Sequence, residues 1–435
     1  MYIESIELEN IRTFETKTKL QLVHPDRVYQ SEGIAGSDAM PEPTLNNVNL
    51  LFGDNASGKT TLLESIALAS LGPTATDSRI SPRPLIRFKR ETQSKESKKT
   101  VSLRKWDASI CVELVLHGDE FLDIDRENNK SIGISELRIR KRGELESFFF
   151  HEERERDGNV NWDRAYESDN ESFFIVAYGA TRRVDPKAAS GQSMSKSSKF
   201  GRANRVESVM MEGYPMIPLQ SWFLDQRRGK RHDEIIGLVN QLLGQESFVF
   251  DGVESDDDFL FSKGGMDIPS KSLSDGYRAF LGWTTDLLYH LDFASQRSNK
   301  KLNEIPGVVL VDEIDLHLHP KWQMNVIKTV AETFPRLQFI FTSHSPLIAG
   351  TVEWMNIIHL KLGQLHRTIA DQFQESIHGL DADQILVSSL FGLESTRAEP
   401  KRDQLRDLTI RARRGDDNAA KQLIQEMARG LEAKK

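Results

Sequence analysis

The segment Gly53-Asp54-Asn55-Ala56-Ser57-Gly58-Lys59-Thr60 constrains this chain more than any other. The apolar run Val48-Asn49-Leu50-Leu51-Phe52 precedes it. After it, Leu62, Leu63, Ile66, Leu68 and Leu71 recur at helical spacing until Gly72-Pro73. A buried strand, a glycine-bounded turn and a helix in this order wrap backbone N–H groups around phosphates at a helix N-terminus. Asn55, Ala56, Ser57, Gly58, Lys59, Thr60 and Thr61 are therefore the expected nucleotide-binding residues. Lys59 supplies a point charge to the β- and γ-phosphates, and Thr60 offers its hydroxyl to Mg²⁺.

A second half of the site is expected far downstream. Gly307-Val308-Val309-Leu310-Val311 is an apolar strand that ends in Asp312-Glu313. Desolvated paired carboxylates are costly, and a metal is their natural compensation. Asp312 is assigned to Mg²⁺ through water, and Glu313 to the general base that polarises the attacking water. Leu273-Ser274-Asp275-Gly276-Tyr277 opens a helix upstream of that strand, with N–H groups free to face an anion. Phe339-Ile340-Phe341-Thr342-Ser343 is another apolar strand, ending at His344, where an imidazole could sense a γ-phosphate.

Along the rest of the chain, residues 1–22 read as a β-hairpin with Asn10 to Phe14 near its turn. Residues 75–105 read as a mobile loop and 106–178 as β-rich. Residues 187–206, rich in Ser, Gly, Lys and Arg, are expected to be disordered or ordered by a ligand. Helices are expected at Trp222–Leu243, Ser274–Leu291 and Lys321–Phe334, and a charged helix or helix pair from Pro400 onward. No heptad pattern is sustained. The implied division is 1–75, an N-terminal lobe with the phosphate loop; 76–265, an inserted β-rich and helical region; 266–350, a C-terminal lobe with the acids and His344; and 351–435, a helical region that could dock a partner.

Composition excludes several classes. With 57 basic and 65 acidic residues the formal charge is −8, which argues against a protein that coats nucleic acid over its whole surface. The single cysteine, Cys111, cannot form an intrachain disulfide, and the start lacks the regions of a signal peptide, so a cytoplasmic location is expected. No apolar run approaches membrane-spanning length, so no membrane partner is expected.

In this order these elements resemble the ABC-type ATPases, in the branch that holds SMC proteins, RecF and the OLD family. The resemblance covers residues 1–72 and about 270–350. It places a signature loop on Leu273 to Tyr277, with Asp275 at the position of the more usual second glycine, and a D-loop on Ile314 to Pro320. His344 falls at the switch histidine, and Arg12 lies in a turn near the adenine and phosphates. The Q-loop has two candidates, the run Val176 to Arg183, which lacks the glutamine, and Gln220. The implied fold is an α/β P-loop ATPase head with an antiparallel β subdomain and helical insertions, without a long coiled coil. The implied ligands are ATP and Mg²⁺. ATP on one subunit would be covered by Ser274 and Gly276 of another, giving a homodimer or a higher oligomer built from it. Glu313, His344 and Lys59 are the implied catalytic residues for hydrolysis.

The run Glu313 to Pro320, with Gly379 to Leu386 and Leu390 to Arg397, looks like stand-alone ATPases of bacterial defence systems, including the Septu system and some retrons. In those systems the ATPase accompanies a separate effector, so a nuclease or toxin is the implied partner. The competing reading is a RecF-like DNA-repair ATPase that clamps duplex DNA. Three basic clusters, Arg83 to Lys99, Arg138 to Arg142 and Arg227 to Arg231, would suit DNA or RNA phosphates, against the plainer reading of a solvated face. A scaffold that binds ATP without turnover is disfavoured by the complete motif set. Asp381 and Asp383 are read as a polar helix start rather than nuclease acids, and His317 and His319 lack further ligands for a metal site.

Overall fold

The computed structural model describes residues 1–29, 41–77, 84–87, 107–117, 130–142, 145–152, 166, 173–184, 201–211, 215–223, 231–244, 248–255, 258–295, 300–396 and 399–432. Residues 1–379 form one compact unit and 380–435 another.

The first unit is built on two sheets. β1 (Tyr2–Glu9) and β2 (Thr18–Gln21) make the expected hairpin. With β4 (Ala108–His117), β5 (Lys130–Arg142) and β6 (Leu145–Glu152) they form an antiparallel sheet in the order β2-β1-β4-β5-β6. The second sheet has six strands in the order β16-β15-β3-β14-β13-β7. Its members are β3 (Val48–Gly53), β7 (Ile175–Tyr178), β13 (Gly307–Val311), β14 (Leu337–Ser343), β15 (Ile357–Leu362) and β16 (Thr368–Gln372). All pairs are parallel except β15 with β16. Every residue of β3, β7, β13 and β14 is buried, as continuous apolar runs require in a parallel sheet covered on both faces.

Helix α1 (Lys59–Leu71) touches strands of both sheets. Its buried residues run all round the helix, from Leu62, Leu63 and Ile66 to Ser65, Ala67 and Ala69. A helix apolar on every side must be covered on every side. One core cluster accordingly joins Ile6, Leu8, Val112 and Leu137 of the antiparallel sheet to Leu51, Val308, Leu310 and Ile340 of the parallel one, with α1 between them.

Several expectations change. Of the stretch 187–206, the described part, from Gly201, is helical to Met210. Ala203, Val206, Val209 and Met210 bury one face of it, and that apolar stripe runs past the end of the polar stretch, which hid it. Residues 185–200 lie outside the described residues, as do most of the 75–105 stretch and most of the first and third basic clusters. The Trp222–Leu243 helix resolves into Leu219–Trp222 and His232–Leu243, with 224–230 outside the described residues. The Lys321–Phe334 helix breaks into Pro320–Gln323 and Val326–Thr333. A three-stranded antiparallel sheet, β10 (Val249–Ser255), β11 (Asp258–Lys263) and β12 (Met266–Pro269), lies beyond the 106–178 stretch that was read as β-rich. Its alternation is real but short, with Phe250 and Gly252 buried between exposed neighbours. Within 351–435, read as helical, β15 and β16 instead complete the parallel sheet.

In the second unit, Ala382–Val387 is a short helix opened at Asp381, whose N–H donates to Gln384 Oε1 at 3.0 Å. That accounts for the Asp381 and Asp383 pair as a helix start. Glu399–Arg413 and Asp417–Glu432 then pack as a helix pair.

Candidate nucleotide site

Four parallel strands end side by side, and the site is built from the residues just past their ends. β3 runs into the loop read from the sequence as phosphate-binding, Gly53 to Thr60. Asp54, Asn55 and Ala56 form its exposed rim, while Ser57 and Lys59 are buried. Gly58 has φ +99°, and a Cβ there would press on Thr13 Oγ1 and Phe14 Cε2 at under 3 Å, so only glycine fits. The loop is gripped from the far side by β16, where the Thr368 hydroxyl donates to the Ser57 carbonyl at 2.7 Å. Lys59 Nζ donates to the carbonyls of Gly53 and Asp54 at 2.8 and 2.9 Å. Burial lowers its pKa to about 8, against the pull of Asp312, Glu313, Asp54 and Asp315.

Thr60, at the start of α1, donates its hydroxyl to Asp312 Oδ2 at 2.9 Å. The other oxygen, Oδ1, accepts from the Thr342 hydroxyl at 2.5 Å. Thr342 in turn accepts the Glu313 N–H at 2.7 Å. The residue read as a Mg²⁺ ligand, the downstream acids and the strand before His344 thus form one chain of hydrogen bonds. Burial raises the Glu313 pKa, and Asp312 and Asp315 raise it further. His344 follows β14, and burial, then Lys59, hold its imidazole pKa below the ordinary value.

Arg182 was not singled out in the sequence, although it lies in one of the two Q-loop candidates. Asp312 N–H donates to the Tyr178 carbonyl at 2.8 Å, so the chain leaving β7 runs beside the acids. Arg182 Nη2 donates to the Glu313 carbonyl at 2.7 Å. The other candidate, Gln220, donates instead to Asp258 and Ser270, both at 3.2 Å. A polar residue just past a strand whose end enters the site was the available signal for Arg182. A lone threonine in an apolar strand was the signal for Thr342.

Arg12 sits in the expected turn at φ 39°, pairs with the buried Glu64 carboxylate at 2.6 Å, and reaches Thr61 Oγ1 at 3.2 Å. It therefore braces α1 from its side. Arg87, from the first basic cluster, donates to the carbonyls of Arg12, Thr13, Leu365 and His366, which makes it a strut for the same turn.

Ser274 is exposed, and Asp275 pairs with Arg278 on its own helix (Asp275–Ser295). A Cβ at Gly276 would run into the carbonyl oxygen of His317. The turn thus leans on the 314–318 loop, and Tyr277 packs edge-on against Trp322 at 4.5 Å between ring centroids. No hydrogen bond among the described residues joins Ser274 or Gly276 to Gly53–Thr60 of the same chain.

The family described as "AAA domain, putative AbiEii toxin, Type IV TA system" matches residues 48–350. The chain belongs to this family. The match spans the phosphate loop, Asp312, Glu313 and His344. The Retron Ec83 probable ATPase of Escherichia coli is 39% identical over 107 residues, 25% of this chain and 20% of that protein. The Septu protein PtuA of Bacillus mycoides is 28% identical over 229 residues, 51% of this chain and 30% of that one. The chain thus spans less than a third of the length of these two relatives. The Septu protein PtuA of Bacillus thuringiensis is 23% identical over 382 residues, 84% of each chain. Among solved structures, the SMC head domain of Thermotoga maritima aligns at a TM-score of 0.42 and 11% identity, over 86% of this chain and all of that one. No helix among the described residues is long and apolar enough to cross a membrane.

Proposed function

We propose that this chain binds and hydrolyses ATP with Mg²⁺, and that hydrolysis switches it between a closed dimer and an open state. The observation that carries the reading is the chain Thr60–Asp312–Thr342–Glu313 beside Lys59. The loop fits a triphosphate. It is rich in N–H donors, its lysine lies across two carbonyls that a phosphate can displace, and Ser57 Oγ is buried without a hydrogen-bond partner among the described residues. Thr60 and Asp312 offer hard oxygens at the start of α1, the donor type that Mg²⁺ prefers. When bound, Mg²⁺ would neutralise charge developing on the phosphates.

The chain's own residues do the rest. Lys59 would move from the loop carbonyls to the phosphates, and Glu313 would orient and deprotonate the attacking water. Its raised pKa suits a base that must hold a proton transiently. His344 would report the γ-phosphate through β14. The exposed Ser274 and its neighbour Gly276 would cover the nucleotide of a second copy, and Gly276 would carry closure to the 314–318 loop through His317. By likeness to the Septu and retron proteins, the switch would serve anti-phage defence in the cytoplasm by controlling a separate effector, a nuclease or toxin, docked on the insertions or the C-terminal helices.

The test is Glu313→Gln. It should bind ATP, turn over at least about 10²-fold more slowly and accumulate as a dimer by size-exclusion chromatography with ATP. Wild-type turnover in that variant would remove Glu313 from the base role.

A further inference from the structure

We propose that Arg182 is a positioning residue for hydrolysis, one that clamps the peptide of Glu313 and thereby aims its carboxylate. The inference rests on the reading of Glu313 as the base.

Glu313 has φ 47°, in the left-handed region. A residue with a Cβ is strained there. Such a conformation persists only when its surroundings hold it. Here both ends of the residue are held. Its N–H donates to Thr342 Oγ1 at 2.7 Å, and its carbonyl accepts from Arg182 Nη2 at 2.7 Å. The first clamp is part of the chain that runs to Asp312 and Thr60. The second comes from a different strand. Arg182 is carried past the end of β7, where Tyr178 pairs with Val311 and the Gly179 N–H donates to Ser208 Oγ at 3.1 Å. The arginine is thus delivered by a fixed piece of backbone.

Its second terminal nitrogen sets it apart from a purely architectural arginine. Nη1 is buried and has no hydrogen-bond partner among the described residues. Leaving a buried donor unmatched is costly, and native structures rarely leave one without a role. The guanidinium is a rigid fork, so with Nη2 fixed on the Glu313 carbonyl, Nη1 is held ready for an oxygen of the reacting system, a phosphate oxygen or the water. A lysine offers no such fork.

Steady-state hydrolysis and nucleotide binding are measured for the wild type, Arg182→Ala, Arg182→Lys, Glu313→Gln and the Arg182→Ala/Glu313→Gln double variant. Misplacing a reacting group by about 1 Å can slow a reaction about 10²-fold, so Arg182→Ala should lose kcat on that scale while KM for ATP moves a few-fold at most. Millimolar guanidinium chloride should restore part of the Arg182→Ala rate and none of the Glu313→Gln rate. The double variant should be no slower than Glu313→Gln. An Arg182→Ala enzyme with wild-type kcat, or one that loses KM alone, overturns the proposal. So does a loss that guanidinium leaves untouched and that adds to the loss in Glu313→Gln. If Arg182→Ala does not fold, Arg182→Lys decides by the same kcat criterion. A wild type without ATPase activity, or a fully active Glu313→Gln, would fail the underlying reading and this proposal with it. An active wild type with an impaired Glu313→Gln and an unaffected Arg182→Ala fails only the proposal.

Discussion

Thr60 and Asp312 stand 252 positions apart in the sequence and meet through one hydrogen bond of 2.9 Å. That contact joins the end of β3 to the end of β13 across β14, whose Thr342 binds the other oxygen of the same carboxylate. Asp312→Ala should leave two hydroxyls without their acceptor, at a cost of about 1–3 kcal/mol in unfolding free energy. More specifically, it should blunt the metal dependence of nucleotide binding. In the wild type, chelating Mg²⁺ should weaken binding of a fluorescent ATP analogue. In Asp312→Ala the chelator should make little difference, and an undiminished chelator effect would assign the metal elsewhere.

Lys59 is held by two carbonyls of its own loop. Removing the ammonium removes a charged donor to phosphate, worth about 1.5–3 kcal/mol. Lys59→Ala should therefore bind ATP at least about tenfold more weakly by titration calorimetry. Affinity equal to the wild type would refute the phosphate-loop reading.

Ser274 is exposed beside Gly276, which has no room for a side chain against His317. An arginine at Ser274 adds bulk to the surface without touching Lys59 or Asp312. Ser274→Arg should keep ATP affinity within about twofold and lose ATP-dependent dimerisation in light scattering. Dimerisation at the wild-type level would count against a nucleotide shared between subunits.

His359 supplies a pH dependence unrelated to catalysis. It is buried in β15, its Nδ1 has no partner, and burial, reinforced by Lys361, lowers its pKa from 6.5 to about 4. A histidine depressed in the folded state stabilises fully above its unfolded pKa and loses that contribution as pH falls towards the folded value. Urea midpoints should therefore fall between about pH 6.5 and pH 4.5, and His359→Gln should flatten part of that slope. An unchanged slope in the variant would place the titration on another group.

The strand, turn and helix over residues 48–71 were legible because they are contiguous. The buried strand, the glycines and the apolar helix each leave a local signature, and the helix ends at Leu71, just before the expected stop at Gly72-Pro73. The β1–β2 hairpin and β14 were legible for the same reason. The individual strands of the β10–β12 sheet were missed because strands of four to seven residues show too few periods of alternation. The helix at Gly201–Met210 was missed because a polar stretch overlapped its first turns.

By itself, then, the sequence brought out the residue types that suit a phosphate and its metal: Gly58, Lys59 and Thr60 in one run, and Asp312 and Glu313 at the end of another. The tertiary structure alone decided that Thr342 bridges the two acids and that Arg182 rather than Gln220 reaches Glu313. The reason is the parallel sheet. It sets strand ends side by side whatever their distance along the chain, so the residue after β7 meets the residue after β13 through sheet order, which no local pattern encodes.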